Sequence, residues 1–221
     1  MRSEALGRLS GIATVQWGLF SARQAMTDGV TRWDLSRLVG DGAIEQLGHG
    51  VYRMAGAPIP TLQDMKVAWL QLEPGVIAED RLPGAGVVSH TSAARLYGVG
   101  DFEPDIYEFT RPVRFRTRRS DVVVHVAQLA AADVRQIDQL IVTTPVRLVA
   151  DLLAERHDGE HVGQVCADLI SFRQAGRREL SAAAAPYASA YGLAAGDGSS
   201  LIGHLMALVG NSRPVSARRT A

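Results

Sequence analysis

Apolar residues near the start of the chain recur at the three- and four-residue spacing of amphipathic helices, and glycines separate these segments. Residues 1–20 are predicted to supply a first helix. A second helix is predicted over 22–27, followed by Gly29 at a sharp turn, where a residue without Cβ is favoured. Two short strands are then predicted over 44–47 and 51–54, around a Gly-His-Gly turn. The order is that of a helix-turn-helix followed by a hairpin.

Capping residues mark where the second and third helices begin. Ser21 can cap the second helix. Thr31 can cap the third, with Asp34 three residues later as the acidic half of a capping box. Together with the hairpin, these elements predict a winged helix-turn-helix over residues 1–57.

The third helix has two different faces. Leu35 and Leu38 point inward. The opposite face carries Arg32, Trp33, Ser36 and Arg37. Such a helix is shaped to enter a DNA major groove, where an arginine can pair with a guanine edge. The predicted DNA-binding residues are Thr31, Arg32, Trp33, Ser36, Arg37 and, in the hairpin, His49 and Arg53.

A winged helix used only to pack against another protein is the alternative. Residues 1–60 contain six Arg and five acidic residues, a net charge of +1. Because phosphate contacts supply most of the non-specific affinity for DNA, this charge is small for a DNA-binding domain. Binding of more than one copy of the protein to a repeated DNA site would compensate for this small charge.

Beyond a linker at 55–60, short helices and strands alternate. Thr61 is predicted to cap a helix with Asp64, and Ser89 is predicted to cap another. The predicted strands are 87–88, 105–110, 122–126 and 140–143, and the later helices are 90–97, 146–156, 162–170, 180–191 (bent near Pro186) and 201–209. These elements predict a mixed domain over 61–210, with a small sheet flanked by helices. The fold class is therefore α+β, with a disordered tail at 211–221.

Composition restricts where the protein acts. The 221 residues are 47% hydrophobic with a formal net charge of zero, which is typical of a globular protein. No apolar segment approaches the length of a membrane span, and no secretory signal is visible. The single cysteine, Cys166, rules out an intramolecular disulfide and fits a reducing compartment. We therefore expect a cytoplasmic protein.

A second basic feature lies far from the winged segment. Five arginines fall within nine residues, at positions Arg111, Arg114, Arg116, Arg118 and Arg119. If this segment is extended, Arg114, Arg116 and Arg118 project to one side. It would then form a surface for an acidic partner, either the DNA backbone beside the wing or an acidic protein. A solvated loop is an equally good interpretation.

Three features resemble enzyme motifs but lack the geometry or surroundings that a catalytic or metal site requires. His157–His161 matches the pattern of inverted zinc peptidases, but Gly159 interrupts it at a predicted helix junction, so we interpret it as a polar helix start. Ser89 and His90 are adjacent, and adjacent residues do not easily form a catalytic pair. Cys166 lies on an apolar helix face and is interpreted as a small hydrophobe. We predict no catalytic residues, no cofactor and no metal.

The order of elements resembles a known family. The winged segment ends in GVYRM, and residues 87–112 and 121–155 contain HTSAARLYG, VVVHVAQL and TTPVRLVADLL. These features resemble AbiEi-type antitoxins of abortive-infection, type IV toxin–antitoxin systems, over about residues 10–210. These motifs are typical of residues that pack within the C-terminal domain, and they contain no catalytic pattern.

The resemblance implies two tasks. Family antitoxins repress their own operon by binding inverted repeats in the promoter through the winged domain, and they counteract a nucleotidyltransferase toxin, for which the C-terminal domain is needed. The predicted partners are therefore double-stranded DNA and the cognate toxin, with self-association on DNA. The alternative is a stand-alone winged-helix regulator whose C-terminal domain dimerises or senses a ligand.

Overall fold

A computed structural model describes residues 2–102 and 105–212. The chain forms two compact units. The first comprises residues 1–88, 109–129 and 136–142, and the second comprises 89–108, 130–135 and 143–221. The unit that contains the predicted winged segment is therefore larger than 1–57, because later strands and the arginine-rich segment belong to it.

The winged helix-turn-helix is present. Its elements are α1 (Arg2–Thr14), β1 (Leu19–Ser21), α2 (Ala22–Thr27), α3 (Arg32–Gly40), β2 (Ile44–Gly48) and β3 (Val51–Met54). The three strands form an antiparallel sheet in the order β1-β3-β2. β1 was not predicted, and it closes the hairpin into a sheet by pairing Leu19 with Arg53 and Ser21 with Val51.

Both predicted N-caps of this segment are confirmed. The Ser21 hydroxyl accepts a hydrogen bond from the Gln24 backbone N–H, and the Gln24 side chain accepts one from the Ser21 N–H. Thr31 and Asp34 form the same reciprocal pair at the start of α3. Each box satisfies two backbone N–H groups that would otherwise lack a partner at a helix start.

One apolar cluster holds the three helices and the hairpin together. Its buried members are Ala5, Leu9, Ile12, Ala13, Phe20, Ala25, Val30, Leu35, Leu38 and Ile44. Gly29 makes the turn between α2 and α3 with a φ of +81°, and a Cβ there would lie 2.9 Å from the Arg8 guanidinium. The inward position of Leu35 and Leu38 fixes which side of α3 faces outward.

The rest of the first unit consists of one helix and most of a five-stranded sheet. The helix is α4 (Gln63–Leu72), and the strands are β4 (Val87–Val88), β5 (Tyr107–Arg111), β6 (Val122–Val126), β7 (Val134–Ile137) and β8 (Leu140–Thr143). Their order is β6-β5-β4-β8-β7, with β4 antiparallel to β5 and parallel to β8. The small three-stranded sheet and this larger one confirm the predicted α+β class.

The prediction for the start of α4 is wrong. Its N-cap position is held by Leu62 in a left-handed conformation, and no side chain caps it, so Thr61 and Asp64 form no capping box. The helix is instead fixed by burial, since every residue from Met65 to Leu70 is buried. Burial of these six consecutive residues, more than one full turn, outweighs the local capping preference.

The second unit is mainly helical. Its helices are α5 (His90–Tyr97), α6 (Pro145–Ala154), α7 (Gly159–Ser171), α8 (Arg177–Ala184) and α9 (Gly198–Ser212), with a 3₁₀ segment at Ala185–Tyr191 after α8. α7 and α9 pack closely at Gly163, where a Cβ would lie 2.1 Å from the Leu205 carbonyl oxygen. Only glycine permits this approach of two backbones. Cys166 is fully buried on α7, and desolvation raises its pKa to about 12, as expected of a core thiol.

The predicted cap of α5 needs correction. Ser89 holds the N-cap position, but its side chain makes no capping bond. The carboxylate of Glu108 takes that role, accepting from the Thr91 backbone N–H at 2.9 Å and from the Thr91 hydroxyl. Glu108 lies almost twenty residues away, so the sequence around α5 carries no sign of it.

The predicted tail at 211–221 starts within the last turn of α9 and, from residue 213, lies outside the described residues. Within 2–102 and 105–212, each helix is either too short or too polar to cross a membrane.

Candidate nucleic-acid interface

The outward face of α3 is exposed, as predicted. Thr31, Arg32 and Ser36 are exposed, and the Trp33 side chain is 64% exposed. Leu35 and Leu38, on the opposite side, are buried. A tryptophan this exposed on a regular surface helix is unusual, and interaction surfaces are enriched in such side chains.

Arg37 lies over Trp33 rather than extending into solvent. Its guanidinium carbon is 4.9 Å from the Trp33 ring centroid, and one of its nitrogens is 3.8 Å from the Asp34 carboxylate. Hydrogen bonds from the Thr31 hydroxyl and backbone N–H, and the charge of Arg37, lower the pKa of the Asp34 carboxyl. Asp34 therefore stays ionised and holds both the cap and the arginine.

Two guanidinium nitrogens of Arg37, Nε and one Nη, are covered by neighbouring atoms and find no hydrogen-bond acceptor among the described residues. Covered donors without acceptors are costly in a folded protein. A ligand that supplies two acceptors, such as a guanine edge or a phosphate, would satisfy them. Arg37 is thus held by a ring contact and one long ion pair.

The two predicted hairpin residues differ in placement. His49 is exposed at the tip between β2 and β3, and its carbonyl oxygen accepts a hydrogen bond of 2.9 Å from the Gln71 side chain of α4. Arg53 is largely buried and pairs across the hairpin with Glu45 at 2.6 Å, with a second contact to Gln63. Its charge is therefore paired within the hairpin rather than presented to DNA.

The arginine-rich segment is an irregular loop rather than a strand. At its start, Arg111 is buried and donates to the carbonyl oxygens of Leu72 and Gly84, each at 3.2 Å. At its end, Arg119 binds both carboxylate oxygens of Asp121. These two arginines anchor the loop. The three between them, Arg114, Arg116 and Arg118, are exposed.

The first unit contains a cleft of about 910 Å³ that brings the loop and the winged segment together. Its basic lining residues are Arg23, Arg32, His49, Arg116, Arg118 and Arg119. Among the residues that the structure describes, its lining includes no Asp or Glu. A cleft with this lining in a chain of zero net charge concentrates positive potential. Arg114 belongs to the same loop but does not line the cleft.

Two residues of this site were missed from the sequence. Arg23 lies in the first turn of α2 and lines the cleft. Gln71 donates to the His49 carbonyl and accepts at 3.0 Å from the Arg119 guanidinium, so it joins the wing tip to the loop. Arg23 could have been found from its place at the start of the helix-turn-helix, where phosphate contacts are common. Nothing in the sequence distinguishes Gln71 from other polar helix residues.

One of the enzyme-like features has a structural role, and the placement of a second differs from the expectation. Asp158 caps α7 by accepting from the backbone N–H groups of Glu160 and His161, which confirms the polar helix start. His157 precedes the helix, so the two histidines do not share a helical face. The expectation for Ser89 and His90 was wrong, because Ser89 Oγ and His90 Nδ1 lie 2.9 Å apart. Both residues are buried, so Ser89 is not an exposed nucleophile.

Comparison with known proteins identifies the segment that carries this interface. Residues 15–55 match the family model described as a transcriptional regulator, AbiEi antitoxin. The match spans α2, α3 and the wing, and it confirms the resemblance for this segment and supports a DNA-binding transcriptional regulator. No curated protein matches the chain.

Proposed function

We propose that the protein is the DNA-binding antitoxin of a type IV toxin–antitoxin system, which represses its own operon and counteracts a nucleotidyltransferase toxin. The observation that carries the proposal is the exposed Arg-Trp-Ser face of α3. It lies within the segment that matches the antitoxin regulators. Regulation of this kind depends on binding and requires no covalent chemistry.

In the proposed complex, the exposed face of α3 enters the major groove. Arg37 leaves Trp33 and pairs with a guanine edge, while Ser36 and Trp33 contact neighbouring bases or the backbone. The Thr31–Asp34 capping box fixes the first turn of α3. The side chains that contact the bases therefore project from a rigid helix. His49 at the wing tip contacts the adjacent backbone. Symmetric inverted repeats would be bound by more than one copy.

Specific binding to the promoter tests the regulatory half of the proposal. Fluorescence anisotropy with the operon's own promoter and with a scrambled duplex of equal length should show preferential binding to the promoter. Arg37→Ala should reduce that preference. Equal affinity of the full chain for the two duplexes would exclude repression through sequence recognition.

A stand-alone regulator is the second candidate, and it is favoured by the extent of the family match, which ends at residue 55. The antitoxin hypothesis needs the neighbouring gene product to be toxic when expressed alone. Co-expression of both proteins should then restore growth, and co-purification would show whether they bind directly. If the neighbouring product is harmless, or is not rescued, the stand-alone regulator is the better description.

A further inference from the structure

We infer that the cleft between the wing and the arginine loop binds the sugar–phosphate backbone of the duplex that α3 reads, with Arg23, Arg116 and Arg118 as phosphate contacts. The inference rests on the proposed DNA binding and extends it to a loop more than sixty residues away from α3 in sequence. It also assigns different roles to arginines that look alike in the sequence.

The cleft gathers positive charge from separate parts of the first unit. Arg23, Arg32, Arg116 and Arg118 reach it from three separate segments, and among the described residues no carboxylate lies within 4 Å of any of these four guanidinium groups. Other arginines of this chain, such as Arg8, Arg53 and Arg147, do pair with a carboxylate. The cleft therefore keeps its cations available to an external anion.

The 111–119 loop is held in place at both ends. Arg111 fastens one end through backbone carbonyls, and Arg119 fastens the other through Asp121 and Gln71. Because Gln71 also binds the carbonyl of His49, the loop and the wing tip share one hydrogen-bonded connection. A loop anchored in this way presents Arg116 and Arg118 at a defined distance from the wing, which lowers the entropic cost of binding.

The cleft adjoins α3 and the wing tip, and this position favours DNA over other anions. Arg32 at the start of α3 and His49 at the wing tip line the same cleft, so a duplex seated on α3 brings its backbone to this position. The winged segment, Arg23 included, has a net charge of only +1, and two further phosphate contacts from Arg116 and Arg118 would add electrostatic affinity. Met26 and Phe115 add apolar contact area in the cleft, which suits the deoxyribose faces between phosphates.

The salt dependence of binding tests this inference. Affinity of the full chain for its promoter duplex and for a scrambled duplex would be measured by anisotropy between about 50 and 300 mM KCl. Each lost phosphate contact should reduce the slope of log K against log [salt] by about 0.9. The double variant Arg116→Gln/Arg118→Gln should therefore lower the slope by about 2 on both duplexes, without changing the ratio of the two affinities.

Arg114→Gln is the matched control, because Arg114 is exposed in the same loop but lies outside the cleft lining. Its slope should equal that of the unmodified protein. Thermal unfolding of all three proteins should be the same, since the changed side chains are at the surface.

Three results separate the possibilities. If the unmodified protein prefers its promoter but the double variant keeps the full salt slope, the cleft does not bind the backbone and only this inference fails. If the unmodified protein shows no preference, the proposed function fails with it. If the slope is unchanged while inorganic pyrophosphate or ATP binds the protein in a way that the double variant abolishes, the cleft is a site for small anions, and the inference is overturned.

Discussion

Helix α3 and the 111–119 loop each combine arginines with one aromatic residue, yet they organise these residues differently. In α3, the helical period decides which side chains face outward, and the buried Leu35 and Leu38 fix the helix rotation. In the loop there is no repeating period, so each arginine is placed by its own contacts. Arg111 and Arg119 are anchors, while Arg116 and Arg118 face the cleft.

The difference shows that one residue type can serve stability and binding within nine positions. Burial and acceptors determine which role an arginine takes. Arg81, next to Trp69 in the first unit, is an extreme case: it donates to four backbone carbonyls, and desolvation lowers its pKa to about 10. This distinction between anchoring and binding arginines can be tested by measuring, for each variant, the free energy of unfolding and the affinity for DNA separately.

The largest expected effect is on stability, at an anchor. Arg111→Ala should lower the free energy of unfolding by about 2–4 kcal/mol, because the buried Leu72 carbonyl and the partly buried hydrogen bond to Gly84 lose a charged donor. Arg116→Ala, in the same loop, should change it by less than about 0.5 kcal/mol. Urea unfolding followed by circular dichroism measures both. Similar losses for the two variants would mean that Arg111 is not an anchor.

Next in size is the effect of Arg37 on recognition. Arg37→Ala should weaken promoter binding by about 1–3 kcal/mol and relax sequence preference, if the side chain reads a base. Arg32→Ala should weaken binding to promoter and scrambled duplexes more evenly, because Arg32 lies at the cleft. Gel-shift titrations on both duplexes would show this. Unchanged affinity for both variants would contradict the proposed reading face.

The sequence was sufficient for α3 because its signals are local. The Ser21 and Thr31 caps, the turn at Gly29 and the inward leucines lie within twenty residues, and all are found in the structure. Strands 122–126 and 140–143 were also predicted at their observed bounds. Each has an apolar segment long enough to be recognised without its partner.

The sequence was insufficient where a feature depends on a distant partner. β1 is three residues long and is defined by pairing with β3, and β7 has the mixed pattern of a partly exposed strand at the edge of the sheet. The cap of α5 comes from Glu108 and the loop anchor from Gln71. For the same reason, the five arginines of 111–119 could not be separated into anchors and cleft residues beforehand.

A smaller effect concerns the rigidity of α3. Thr31→Ala should cost about 1 kcal/mol of stability, since it removes the side-chain acceptor for the Asp34 backbone N–H. Ser36→Ala, an exposed change in the middle of the same helix, is the control and should stay within about 0.5 kcal/mol. Thermal unfolding of both variants provides the comparison. Equal melting temperatures for the two variants would show that the cap is unimportant.

The smallest effect is a pH dependence at the same cap. The folded state lowers the pKa of Asp34, so its contribution is complete above the ordinary value of 3.8 and is lost as the pH falls through the lower folded value. The difference in stability between the unmodified protein and Asp34→Asn should therefore be larger at pH 6 than at pH 2. Urea unfolding at the two pH values measures it, and a difference that does not change with pH would exclude a role for the charge.

The account depends most on whether α3 reads DNA sequence. The most direct measurement is the ratio of affinities of the full chain for its own promoter and for a scrambled duplex, determined at one salt concentration for the unmodified protein and for Arg37→Ala. We predict a ratio of about 10³ or more for the unmodified protein and a clear reduction for the variant at the same melting temperature. Equal affinities for the two duplexes in the unmodified protein would contradict the account.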